Sequence, residues 1–278
     1  MYLSKLLHDD VFVSSEMKTL KSLTGIDSRR GLEHVIISND KIVNVVSKSY
    51  GHIHNDLFFK RAEHLLIDAG LSYHKQTINR NDRSFIMDFI IDDKNLFSLK
   101  NDIDMILPML RFKNSYDGSE KTSGHFGFYR KVCSNGLHVS QTELEFAIRH
   151  TKNCTDLIMP SLHQLFNKFL DNEFYSIVQK FDTMKTVKIV DVKAFVKSIL
   201  EKTKLFRYEC SDTNGDPSKK SREVIEILNN EAIWLHQAPN LWLGYNAFNS
   251  VLHGTLKKTF SQQEKLDKLV FNEIYAMV

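Results

Sequence analysis

Residues 84–91 read Ser84-Phe85-Ile86-Met87-Asp88-Phe89-Ile90-Ile91. Phe85, Met87, Phe89 and Ile91 recur at every second position, the period of a β-strand with one face turned inward. The same texture extends outward through the first part of the chain. Residues 34–37 and 41–46 are β-branched runs separated by Ser38-Asn39-Asp40, which predicts a hairpin. Residues 104–112 form a further strand interrupted by Pro108, which places it at an edge or a bulge, and residues 125–132 form another. Between the hairpin and these strands, Phe58, Ala62, Leu65, Leu66 and Ala69 fall at helical spacing. Asn55 or Asp56 is suited to cap that helix and Gly70 to end it.

Beyond about residue 155 the period becomes helical. Ile158, Leu162, Leu165, Phe166 and Phe169 make one apolar stripe, and Val192, Phe195, Val196, Ile199 and Leu200 make a second. Further helices are expected near 220–235, 241–257 and 261–277. The pattern is an α+β fold: a mostly antiparallel N-terminal sheet with one packed helix, then a C-terminal run of helices. The expected division is a β-rich core at 1–155 and a helical part at 156–278, packed together as one unit. Residues 211–218 favour turns and connect two of the helices.

Hydrophobic residues make up 42% of the 278 positions and charged residues 26%, ordinary globular usage. No apolar run reaches the roughly 18–20 residues of a membrane span. Residues 1–10 lack the apolar block of a signal peptide, so a soluble protein of the cytoplasm is expected. Cys133, Cys154 and Cys210 are widely spaced with no CxxC pair, which argues for reduced thiols and against a disulfide framework or zinc knuckle. The net charge is only +3, and residues 156–278 carry 16 Lys+Arg against 15 Asp+Glu. A nucleic-acid surface therefore has to arise from folding that segregates charge.

Three short stretches in the middle of the chain carry a family likeness. They are Asn114-Ser115-Tyr116-Asp117-Gly118-Ser119, Arg130-Lys131-Val132-Cys133-Ser134-Asn135-Gly136-Leu137, and Arg149-His150-Thr151. In this order they resemble the central signature of the phage/plasmid-like family, a domain of unknown function. Residues 42–55 resemble that family's valine-rich entry strand, and residues 242–251 its late Tyr-Asn-Ala helix. The likeness spans roughly residues 42–254. Tyr116 departs from it, standing where the family often has histidine. The resemblance implies carriage on phages, plasmids and integrative elements beside replication and recombination genes, hence a bacterial host cell and a role in DNA metabolism.

Among these residues, a guanidinium beside hydroxyls and amides is a good phosphate-binding set, because such donors satisfy phosphate oxygens without a metal. Arg111, Lys113, Asn114, Asp117, Ser119, Tyr129, Arg130, Lys131 and Asn135 are therefore the candidate nucleic-acid-binding residues. The Asp-Gly-Ser turn is expected at the same sheet edge as the Arg130 strand. Aromatics beside cations, as in Phe126, Phe128, Tyr129, Arg130 and Lys131, are how single strands are held without sequence preference. Residue by residue the plainer reading competes: Asp-Gly-Ser is an ordinary turn, and an arginine beside an aspartate is usually a structural ion pair.

Other chemistry is less well supported. Cys133 as a nucleophile with His125, His138 or His150 as base is weighed against a small buried hydrophobe flanked by Val132. Twelve histidines form no HExxH motif, although His52 and His54 stand two apart. Asp212, Asn214, Asp216 and Glu223 match positions 1, 3, 5 and 12 of an EF-hand loop, but Pro217 occupies the place of its required glycine. Neither GxxxxGK[ST] nor GxGxxG occurs, which disfavours a nucleotide-driven motor.

The expectation is a non-enzymatic protein that binds or anneals single-stranded DNA in recombination or replication, with no cofactor, no metal and no membrane. A homo-oligomer and a phage or host protein partner are compatible with it. A nuclease or other nucleic-acid-modifying enzyme centred on Asp117, Arg130 and Asn135 is one alternative. An interaction protein that counters a host defence is another. The decisive geometric expectation is that the cationic strand after the Asp-Gly-Ser bend lies open to solvent.

Overall fold

A computed structural model describes residues 11–28, 31–92, 104–130, 136–137, 144–171, 175–210, 215–255 and 258–278. It is α+β, with antiparallel sheets first and helices after. The chain divides into two units, one within residues 1–98, 107–127 and 140–171, the other within 99–106, 128–139 and 172–278.

In the first unit, β1 (Ser15–Thr19), β2 (Leu32–Ser38) and β3 (Lys41–Ser47) make a three-stranded antiparallel sheet. The expected hairpin is its β2–β3 pair. Asn39 and Asp40 both take positive φ, 45° and 60°, as a two-residue turn between twisted strands requires. A short helix, α1 (Leu20–Thr24), follows β1. Helix α2 (Asn55–Asp68) then buries Phe58, Phe59, Ala62 and Leu66, and Gly70 follows it in the left-handed conformation. Its N-cap is His54, and neither Asn55 nor Asp56 caps it. Asn55 is committed to buried hydrogen bonds, and Asp56 pairs with Lys60 at 3.0 Å.

The second sheet has six strands in the order β4 (Tyr73–Arg80), β5 (Ser84–Ile91), β6 (Ile106–Ser115), β7 (Thr122–Arg130) and β8 (Gly136–Leu137), with β9 (Glu145–Ile148) also pairing with β7. Strands β6 and β7 have residues in both units. All eight residues of β5 are buried, so this strand is sequestered on both faces and not on the expected one. Strand β6 corrects the reading of Pro108: it is an inner strand, paired on both sides. Its register with β5 runs from Ser84–Ser115 to Ile90–Met109, so the proline, which has no N–H to donate, stands just outside that paired run. Aromatic rings fill the space beneath, with Phe58 and Phe89 each 5.8 Å from Phe112. Helix α3 (Ile158–Leu170) buries the expected stripe, Ile158, Leu162, Leu165, Phe166 and Phe169.

The second unit is built on α4 (Tyr175–Thr186), α5 (Val192–Thr203), α6 (Lys219–Trp234), α7 (Leu241–Thr255) and α8 (Phe260–Tyr275). Side chains of Asp191, Ser218 and Thr259 cap α5, α6 and α8. Trp242 is fully buried, its ring 4.7 Å from Phe181. Asp267 is equally buried and accepts hydrogen bonds from Tyr245 and Asn249 at 3.1 and 3.0 Å. Among the described residues no helix is long and apolar enough to cross a membrane.

Candidate functional site

The decisive expectation fails at Arg130, which is fully buried on the strand after the bend, while Lys131 lies outside the described residues; the cations of β6 before the bend are buried as well. Arg111 is 7% exposed and Lys113 3%. Arg111 sits opposite Asp88 in the β5–β6 ladder and donates to it from Nε at 2.6 Å and from Nη2 at 2.5 Å. A guanidinium sealed into such a bidentate pair is not offered to a ligand.

Asn114 is fully buried and stitches the first unit together. Its amide nitrogen donates to the Ile53 carbonyl and to Asn55 Oδ1, both at 2.8 Å, while Thr122 Oγ1 donates to its oxygen at 2.7 Å. Tyr116 extends the network, accepting from the Asn55 N–H and donating to the Val13 carbonyl, each at 3.1 Å. The hydroxyl holds a chain segment in place, a task that needs no ionisable imidazole. Asp117 accepts from the Ser119 N–H at 2.9 Å and Gly118 has a φ of +73°, so Asp-Gly-Ser is a self-closed turn.

Arg130 belongs to the second unit and has no exposure at all. Its Nε donates to Asp104 at 2.5 Å and its Nη1 to Glu231 at 2.7 Å. Trp242 Nε1 donates to the other Asp104 oxygen at 2.8 Å, and its ring lies 5.7 Å from the guanidinium. Burial, only partly offset by Arg130, pushes the Glu231 carboxyl up. Arg130 ends the nine-residue strand that the Asp-Gly-Ser turn leads into, so turn and guanidinium mark opposite ends of β7, not one edge. Tyr129 is half-buried. Lys131, Cys133 and Asn135 lie outside the described residues, as do Asp212 and Asn214 of the EF-hand-like stretch.

The paired histidines sit in the first unit just before α2. His52 Nε2 is 2.9 Å from Ser15 Oγ, and the His52 and His54 rings meet edge to face at 4.5 Å. Burial, with the neighbouring His54 and His150, pushes His52 down to about 3. His150 stacks on Tyr50 at 5.1 Å, and burial lowers its pKa too. Among the described residues no three or more His, Cys, Asp or Glu gather in a way that could hold a metal.

An open surface that the sequence reading passed over lies in the second unit. Helix α5 ends at Lys204, whose φ of 54° turns the chain back along residues 205–210. That return segment is pinned by the start of α6. Ser218 Oγ donates to the Arg207 carbonyl and Ser221 Oγ to that of Tyr208, each at 2.9 Å, and Cys210 N–H donates to the Asp216 carbonyl at 2.9 Å. With the backbone held on that side, Lys197, Lys204, Phe206, Arg207 and Tyr208 line a cleft of about 590 Å³.

Each aromatic ring in the cleft has an ammonium beside it, Lys220 at 5.8 Å from Phe206 and Lys197 at 5.7 Å from Tyr208. Of the two acids on the lining, Glu209 is engaged by Lys197 at 3.2 Å, and Glu201 is exposed and acts electrostatically on the same Lys197. Lys204 and Arg207 are exposed and make no ion pair among the described residues. The signal was in the chain, since Phe206-Arg207-Tyr208 interleaves aromatic and basic residues as 126–131 does. Only the second stretch lies beside the family signature, and most of its residues face inward.

No curated protein matches the chain. A family model does, over residues 42–268, starting where the sequence resemblance starts and extending beyond its end into α8. With that model covering most of its length, the chain belongs to the family described as domain of unknown function DUF932.

Proposed function

We propose that this protein binds single-stranded nucleic acid in the DNA metabolism of phages or plasmids, and that the cleft between α5 and residues 205–210 is the contact surface. The observation that carries the reading is one cleft lining that holds two half-exposed rings, Phe206 and Tyr208, together with two exposed cations that form no ion pair among the described residues, Lys204 and Arg207. Bases stack on ring faces whatever their identity, and cations alongside follow the phosphates. The buried arginines of β6 and β7 act in this reading as scaffold. The likeness to phage- and plasmid-borne proteins supplies the biological setting.

The test is a polarisation titration of labelled oligo-dT at low salt with the wild type and with Phe206→Ala and Tyr208→Ala. Each substitution is expected to weaken binding by about 1–3 kcal/mol, roughly 5- to 150-fold. Wild-type binding that both substitutions leave intact removes the cleft from the proposal. No binding at high micromolar protein removes the function.

A further inference from the structure

The first unit holds a second cleft, of about 500 Å³, formed where two hairpin turns meet. One turn is Asn39-Asp40 between β2 and β3, and the other is Asn81-Asp82 between β4 and β5. They repeat the same residue pair in the same backbone conformation. Asn81 and Asp82 have φ of 55° and 58°, and Arg83 N–H closes their turn on the Arg80 carbonyl at 3.1 Å. The turns are tied together through Asp82. One of its oxygens accepts from Asn39 Nδ2 at 3.0 Å, the other from Asn79 Nδ2 at 2.8 Å. Arg83 is held independently of its side chain, because its carbonyl accepts from Tyr116 N–H at 2.7 Å.

This arrangement leaves a charge pattern unresolved. Lys41 on one hairpin and Arg83 on the other are exposed, line the cleft, and form no ion pair among the described residues. The carboxylate on the lining, Asp82, has each oxygen bonded to an amide instead. Asp40, the other acid of the turns, is exposed and does not line the cleft. Ser38, also on the lining, is 1% exposed and its hydroxyl has no hydrogen-bond partner. A buried donor without an acceptor is costly. Two exposed cations and one buried, unpartnered hydroxyl on a preorganised frame share one complement, an oxygen acceptor carrying negative charge.

We infer that the cleft between the Asn39-Asp40 and Asn81-Asp82 turns is a binding site for a phosphate group, held by Lys41, Arg83 and Ser38. The ammonium and guanidinium take oxygens from opposite walls. The Ser38 hydroxyl reaches a third oxygen by rotation about χ1. The phosphate is either free, as inorganic phosphate or on a small metabolite, or the terminal phosphate of an oligonucleotide. The site shares no residue with the α5 cleft, so it stands or falls separately from the function proposed above.

Calorimetric titration of the full chain with inorganic phosphate at fixed ionic strength tests it, with acetate as the control anion. Saturable binding is expected for phosphate and not for acetate. Arg83→Met, Lys41→Met and Ser38→Ala are each expected to weaken it roughly tenfold or more, while circular dichroism shows an unchanged fold. Binding that the three substitutions leave intact, or heats that match those of acetate, overturns the site. Oligonucleotides with a 5′-phosphate or a 5′-hydroxyl then separate the sources. A phosphate-dependent gain lost in Arg83→Met assigns a nucleic-acid end, and no difference alongside retained phosphate binding assigns a small phosphate. Lys152→Met, at an exposed cation that does not line the cleft, serves as the control, and its phosphate affinity is expected to equal that of the wild type.

Discussion

Asp88 and Arg111 stand directly opposite each other on β5 and β6, joined by two hydrogen bonds of 2.6 and 2.5 Å, with side chains only 5% and 9% exposed. A pair this deep contributes little net stability, because desolvating both charges offsets their attraction. Removing one partner is another matter. Asp88→Ala or Arg111→Ala removes one charge of the pair while the other stays buried, and is expected to lower unfolding free energy by about 3–5 kcal/mol. The double replacement Asp88→Leu with Arg111→Met removes both charges and should recover most of that loss. Urea denaturation of the three variants measures it. A double variant no more stable than the worse single one would contradict the account.

The pair also shows where sequence reading stops. Apolar alternation in Phe85, Met87, Phe89 and Ile91 identified β5, and the i, i+3, i+4 stripe from Ile158 to Phe169 identified α3, because periodicity is local and survives in the linear chain. Arg130 looked available for the opposite reason: its partners Asp104 and Glu231 lie 26 and 101 positions away, and nothing local announces them. Helix α4 escaped notice because its buried apolar residues, Ile177, Phe181 and Met184, are sparse within a stretch that is otherwise largely polar. The α5 cleft was legible as composition in Phe206-Arg207-Tyr208. Its openness depends on Ser218 and Ser221 holding the backbone behind it, and that is tertiary.

His52 makes stability depend on pH in a definite direction. Burial and two neighbouring imidazoles hold its folded-state pKa at about 3 against 6.5 for the free side chain. Between these values the unfolded chain binds a proton that the folded chain refuses, so stability rises with pH. The contribution is complete above about pH 6.5 and is lost as the pH falls toward about 3, at up to about 1.4 kcal/mol per pH unit. His150, also lowered by burial, acts in the same sense. His52→Asn is expected to flatten unfolding free energy against pH between 6.5 and 4 by close to one proton's worth. A slope equal to that of the wild type would mean that the ring titrates freely.

Gly51 and Gly254 should respond oppositely to the same substitution. A Cβ on Gly51 would collide with the Thr151 backbone oxygen and the Cys154 sulfur, where Gly51 N–H also donates to the His150 carbonyl at 3.2 Å. The obstacle is backbone and cannot swing away, so Gly51→Ala is expected to cost about 3 kcal/mol. Gly254 lies in α7 with nothing within 4 Å of an added Cβ. There alanine gains helix propensity, and Gly254→Ala should stabilise by up to about 1 kcal/mol. Thermal melts of the two variants decide both expectations.

The salt dependence of oligonucleotide binding separates the α5 cleft from a diffuse electrostatic attraction. The net charge of +3 is too small for long-range steering to dominate, so the proposed binding rests on a few local contacts. Each phosphate neutralised on a single strand adds about 0.7 to the downward slope of log K against log salt. Lys204 and Arg207 are the exposed cations of the cleft without carboxylate partners, and the double variant Lys204→Ala with Arg207→Ala should reduce the slope by about 1.4. Phe206→Ala acts through stacking, which is not ionic, so it should weaken binding at every salt concentration and leave the slope unchanged. A double variant with the wild-type slope places the phosphates elsewhere. A slope that falls in Phe206→Ala as well means that the ring orders the cations and is not itself a stacking platform.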